Sequence, residues 1–164
     1  MKTWQRMMVV VAVSLMLAVP AFADEMSTKL GAVMAKGPAE KFWQVSDEDV
    51  MGMIKAKKTD FVVVDTRPNP AEFKQGHIPG AIQIPVQDIF KPESLKKLPK
   101  DKKIILVCVT GQTQNLPVVG LRAMGYNALT MKFGMVSWQK GYHGTKLIQD
   151  QIKEAEAANY PLEK

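Results

Sequence analysis

One cysteine and two histidines among 164 residues leave little room for disulfide or metal chemistry. An internal disulfide needs two thiols, so Cys108 cannot close one within this chain. A zinc site needs three or four Cys, His or carboxylate ligands brought together, and Cys108 with the widely separated His77 and His143 does not supply them. Aromatic residues make up only 7%. The net charge is +6, but the lysines are scattered, with local concentrations at Lys55–Lys58 and Lys96–Lys103 beside acidic residues. Without a basic stripe interleaved with aromatics, a nucleic-acid partner is not expected. No apolar run reaches the roughly 20 residues of a comfortable membrane span. The 11 methionines form no M-x-x-M cluster and read as core filling rather than copper ligands. Repeats and low-complexity segments are absent.

The chain starts with a leader pattern. Lys2 and Arg6 precede an apolar stretch from Met7 to Val19, Pro20 breaks it, and Ala21-Phe22-Ala23 is a small-x-small cleavage signal. This predicts a secretory signal peptide over residues 1–23, and a periplasmic or secreted protein with no stable membrane anchor after cleavage. The remainder has the length of one ordinary domain. Residues 24–43 read as a lead-in interrupted by Gly31, Gly37 and Pro38, residues 44–145 as the domain, and residues 146–164 as a C-terminal helix packing on or extending it.

Apolar runs alternate with helical patterns through the domain. Ser46-Asp47-Glu48-Asp49 is a capping-box pattern opening a helix whose apolar face is Val50, Met53 and Ile54. Phe61-Val62-Val63-Val64 and Lys103-Ile104-Ile105-Leu106-Val107 are continuous apolar strands, as expected of a parallel sheet covered on both faces. Ala81–Ile84 and Asn127–Met131 read as further strands. Asn69–Lys74, Pro92–Leu98, Pro117–Met124, Gly134–Lys140 and Thr145–Ala158 read as helical. The pattern predicts an α/β fold of three layers, a mainly parallel sheet flanked by helices.

Cys108 follows the second apolar strand and precedes the loop Val109-Thr110-Gly111-Gln112-Thr113-Gln114. A thiol between a strand's carboxyl end and a helix's amino end lies in a field of N–H groups that favours thiolate and suits an anion above the sulfur. An exported single thiol is buried and inert, paired with another molecule, or kept for chemistry. Gly111 offers a positive φ for a tight cradle, or is an ordinary turn glycine. Thr113 offers a hydroxyl to a bound anion, or caps a helix.

The string Val64-Asp65-Thr66-Arg67, then Glu72-Phe73, then Gly76-His77-Ile78-Pro79-Gly80-Ala81 resembles the N-terminal signature of rhodanese-homology domains. The later Met124-Gly125-Tyr126 and Phe133-Gly134-Met135-Val136-Ser137-Trp138 resemble that family's ending, a G-Y/F, a strand and then G-G-x-x-W. The loop Cys108 to Thr113 resembles the C-x-x-G-x-T loops of its sulfurtransferases. The resemblance implies a rhodanese-like sandwich and a transferase of sulfur metabolism. In that scheme Cys108 takes sulfane sulfur as a persulfide and passes it to a thiol or other nucleophilic acceptor. Val109, Thr110, Gly111, Gln112, Thr113 and Gln114 would hold the substrate. Asp65, Arg67 and His77 would support the site structurally. No organic cofactor or metal is implied.

The loop departs from the family in carrying no charge. A dianion such as thiosulfate gains most from Arg or Lys. Polysulfide, an organic persulfide or a protein partner is therefore favoured over thiosulfate as donor. Gln114 stands where the C-x5-R phosphatases and arsenate reductases of this fold need a bidentate guanidinium. Two alternatives stay open: a non-catalytic rhodanese-like binding or sulfur-carrier module of the cell envelope, and a redox role through a mixed disulfide.

Overall fold

The computed structural model describes residues 22–163. The expected leader lies outside these residues except for residues 22 and 23. Residues 22–34 are helical (α1), so Gly31 does not interrupt the lead-in; an isolated glycine costs a helix only about 1 kcal/mol. After the turn that follows, Lys41, Phe42 and Trp43 all take positive φ. This tight reversal carries Trp43 into the core, 4% exposed.

The elements then run β1 (Gln44–Val45), α2 (Asp47–Lys55), β2 (Phe61–Asp65), α3 (Pro70–Gln75), β3 (Ile82–Gln83), α4 (Pro92–Leu95), β4 (Lys103–Val107), α5 (Val118–Ala123), β5 (Asn127–Met131), α6 (Met135–Trp138) and α7 (His143–Ala158). The Ser46 capping box forms as the sequence implies. Ser46 Oγ accepts from the Asp49 N–H at 3.0 Å, and Asp49 Oδ2 accepts from the Ser46 N–H at 3.2 Å. At α3, the Asn69 side chain accepts from the Ala71 N–H at 2.9 Å and Pro70 fills the first helical position.

The five strands form one sheet in the order β1-β5-β4-β2-β3, every pair parallel. β2 and β4 pair along their full length, from Phe61 against Lys103 to Asp65 against Val107. Because side chains alternate across a strand, the apolar runs feed two cores. Val64, Ile104, Leu106 and Ala128 join Trp43, Ile84, Ile89 and Leu121 on one face. Val63, Ile105, Val107 and Met131 join Val50, Ile78, Met135 and Tyr142 on the other. This is the expected three-layer sandwich, with β4 at its centre. The two-residue strand β1 was not anticipated; it is too short to carry a periodic signal and is held by its pairing with β5.

Candidate active site

Cys108 sits just beyond the carboxyl end of β4, where open parallel sheets present their ligand sites. It is 2% exposed. Neighbouring backbone fixes its position. The Cys108 carbonyl accepts from the Met135 N–H at 2.8 Å, and the Val109 carbonyl accepts from the Val136 N–H at 3.2 Å. The first turn of α6 therefore ties down the start of the loop. Beside it, the Val107 carbonyl accepts from both the Thr66 N–H, at 2.7 Å, and the Thr66 hydroxyl, at 2.9 Å. Thr66 had no role assigned from sequence; its burial and two bonds to the residue before Cys108 make it part of the frame.

The loop from Val109 to Gln114 packs closely against the Phe133–Gly134 backbone. Among the described residues, none of the N–H groups from Val109 to Gln114 donates to a protein acceptor. Gly111 has φ +87°, and a Cβ there would lie 2.8 Å from the Phe133 Cα. Gly134 has φ +56°, and its Cβ would lie 2.3 Å from the Cys108 carbonyl oxygen. Both glycines are thus required by conformation and by space. Asn115, which sequence reasoning passed over, donates to the Gly111 carbonyl at 2.6 Å.

The expected site residues divide into three groups. Val109, Thr110, Gly111 and Gln112 border hollows on either side of the loop. Gln114 also borders one of them, but its side chain points inward. Its Oε1 accepts from the Cys108 N–H at 2.7 Å and its Nε2 donates to the Met131 carbonyl. It braces the end of β4 to the end of β5. Thr113 opens a 3-10 turn, Thr113–Asn115, with no side-chain cap bond there, so the capping alternative is not realised.

Asp65 and Arg67 pair, but they do not reach the loop. Arg67 is 1% exposed. Its Nε and Nη2 contact both carboxylate oxygens of Asp65 at 2.5–3.0 Å, Nη2 donates to the Gly76 carbonyl at 2.7 Å, and Nη1 donates to the Tyr142 hydroxyl at 3.1 Å. The Tyr142 hydroxyl donates in turn to Glu72 at 3.2 Å. The network joins β2, α3 and the start of α7. Burial and the Glu72 carboxylate push the Tyr142 phenol above its ordinary range, against the opposing pull of Arg67. His77 stands apart. Its ring stacks on Phe73 at 3.9 Å and its Nδ1 meets the Phe73 carbonyl at 2.9 Å, at an exposed corner bordering neither hollow beside the loop.

The two hollows differ in character. One, of about 680 Å³, lies between the loop and α7 and is mostly apolar. The other, of about 480 Å³, holds Gln44, Asn115 and Lys132. Lys132 brings a cation to this second hollow, and it also faces Asp49, whose carboxyl is lowered chiefly by its bonds to Ser46 and slightly by Lys132. Phe133 borders both hollows.

Residues 46–141 match the Rhodanese-like domain family model. The chain belongs to this family. A sulfurtransferase from Allochromatium vinosum is 30% identical over 103 residues, covering 62% of this chain and 92% of that protein. A tRNA sulfurtransferase from Desulfurococcus amylolyticus is 30% identical over 87 residues, covering 53% of this chain but only 17% of that protein. The crystal structure of a rhodanese-related protein from Thermoplasma volcanium superposes with a TM-score of 0.52 at 29% identity, covering 60% of this chain and 93% of that one. This rhodanese-like domain therefore has relatives named as sulfurtransferases, and its family match ends just before α7 begins at His143.

Proposed function

We propose that this rhodanese-like protein transfers sulfane sulfur through a persulfide on Cys108. The observation that carries the reading is the position of Cys108 at the head of a loop whose six successive N–H groups have no protein acceptor among the described residues. Such a row of amide dipoles stabilises a thiolate and, after loading, the outer sulfur of a persulfide. The Cys108 thiolate attacks the terminal sulfur of the donor. A Cys108–S–S bond forms, the donor's S–S bond breaks, and its electron pair leaves with the shortened donor. An acceptor thiolate then attacks the outer sulfur and the electron pair returns to Sγ.

The loop itself holds no charged side chain, so a dianionic donor finds no guanidinium or ammonium within it, only Lys132 across the neighbouring hollow. Polysulfide or an organic persulfide is the preferred donor, and a small thiol or a protein thiol the acceptor. The leader pattern at residues 1–23 directs this activity to the periplasm or the exterior.

Intact mass after incubation with polysulfide, and separately with thiosulfate, tests the reading beside Cys108→Ser. The expected result is a gain of about one sulfur atom from polysulfide, lost on adding cyanide and absent in the variant. No adduct from either donor overturns it. The same uncharged loop favours a second reading, a module that binds or stores sulfur without turnover. That module would load from polysulfide yet fail to discharge to any thiol.

A further inference from the structure

The groove between the loop and α7 is mostly apolar, borders the loop that Cys108 opens and is built mainly from residues beyond the family match. Its floor includes Val109 and Thr110, and its far wall includes Leu147, Ile148 and Ile152. Val109, which follows Cys108 directly in the chain, is among the groove's lining residues. The first turn of α7 is seated on the loop. A Cβ on Gly144 would lie 2.7 Å from Val109 Cγ1, a distance only glycine permits without displacement. No Lys, Arg, Asp or Glu lines the groove.

Three of the exposed large apolar side chains of the described residues meet there: Phe133, 64% exposed, Leu147, 57%, and Ile152, 52%. Phe133 is the telling one. Its backbone has φ +59°. A bulky residue in that region is strained and persists only where its surroundings hold it. Gly111 does so, packed so close that a Cβ on it would lie 2.8 Å from the Phe133 Cα. An aromatic ring is thus held at the shoulder of the loop, in a backbone conformation better suited to glycine, where it borders the mostly apolar groove.

We propose that this groove binds the hydrocarbon part of an uncharged organic thiol or persulfide, and so selects such compounds as partners of Cys108. The inference rests on the persulfide reading of Cys108. The volume of about 680 Å³ falls in the range of small-molecule sites. The mostly apolar lining, whose polar side chains are Thr110, Gln112, His143 and Gln151, matches an apolar substituent and holds no Lys or Arg for the carboxylates of an amino-acid thiol. In the transfer, the bound R–S⁻ attacks the outer sulfur of Cys108–S–SH. The R–S–S bond forms, the Cys108 S–S bond breaks with its electron pair on Sγ, and the proton stays on the transferred sulfur. R–S–SH departs, with no oxidant or reductant required.

Binding is tested first without chemistry, by NMR titration of the ¹⁵N-labelled protein with 2-(alkylthio)ethanols of increasing chain length. Each added methylene should tighten Kd by about two- to fourfold until the groove is filled, with shifts concentrated at Thr110, Phe133, Leu147 and Ile152. In Leu147→Gln/Ile152→Gln, whose exposed positions leave folding intact, the dependence on chain length should flatten. The polysulfide-loaded protein, discharged to n-alkyl thiols, should then show a KM that falls by a similar factor per methylene with kcat nearly constant. Affinity independent of chain length, shifts elsewhere, or an unaltered series in the double variant overturns the proposal. So does movement of the same signals with protein concentration alone, which would mark the face as a contact between copies. Failure of Cys108 to load sulfur sinks the persulfide reading separately, because the thioether titration needs no sulfur transfer.

Discussion

Gln114 grips Cys108 by its backbone and leaves the sulfur free. One amide group accepts the Cys108 N–H at 2.7 Å and donates to the Met131 carbonyl, and it does so at 1% exposure. The side chain is the tie between the ends of β4 and β5. Gln114→Met, of similar size, leaves the Cys108 N–H buried without a partner and the Met131 carbonyl with only the Gly134 N–H, at 3.2 Å. Its expected cost is about 2–4 kcal/mol, read by urea unfolding, together with slower sulfur loading in the mass assay. Unchanged stability would show that water or a neighbouring group takes over both bonds.

The paired glycines make a second prediction. Gly134→Ala places a methyl against the Cys108 carbonyl, and Gly111→Ala places one against the Phe133 backbone, each in a left-handed region. Each variant should lose more than about 2 kcal/mol, since strain and overlap add. Sulfur uptake should fall in both, because the backbone that clashes is the loop itself.

Phe133 should behave in the opposite sense. Phe133→Gly relieves the positive φ and gives up little buried surface, since the side chain is 64% exposed. Stability should rise by about 1 kcal/mol, measured as an increase of a few degrees in Tm. The same variant should weaken the binding of long-chain thioethers.

Tyr142 supplies the pH dependence. Burial holds its phenol protonated to higher pH than in the unfolded chain. The folded value is the raised one, so the stabilisation is fully present below the unfolded value of about 10 and is lost as pH rises through the folded value. Tm should fall more steeply above about pH 10 in the native protein than in Tyr142→Phe. At neutral pH that variant should cost about 1–2 kcal/mol, for the Glu72 and Arg67 bonds it removes.

The architecture was legible because unbroken apolar runs such as Phe61–Val64 and Ile104–Val107 have few other uses than a parallel strand covered on both faces. The helix caps at Ser46 and Asn69 were legible for a similar reason, being local bonds between residues two or three apart. Gly111 was recognised, but its partner Gly134 was not, because their contact joins segments more than 20 residues apart. Gln114 was read as part of the loop, but the inward turn of its side chain was not legible. Nothing local distinguishes an amide facing a ligand from one facing the Met131 carbonyl. His77 was grouped with the site because it belongs to the same motif as Asp65 and Arg67, yet the turn at Gly76 carries it to a separate corner.

The two short outer strands have a consequence for behaviour at high concentration. β1 and β3, two residues each, flank three five-residue strands, of which β2 and β4 are rich in Val, Ile and Leu. Once folded, the sheet presents almost no free ladder on which another molecule could add a strand. The hazard is confined to the time before β2 and β4 are paired, when their apolar runs are bare. Asp60 and Lys103, 3.2 Å apart at the start of those two strands, serve there as gatekeepers against intermolecular pairing. Aggregation during refolding should therefore worsen when both charges are neutralised, while the solubility of the native protein stays the same.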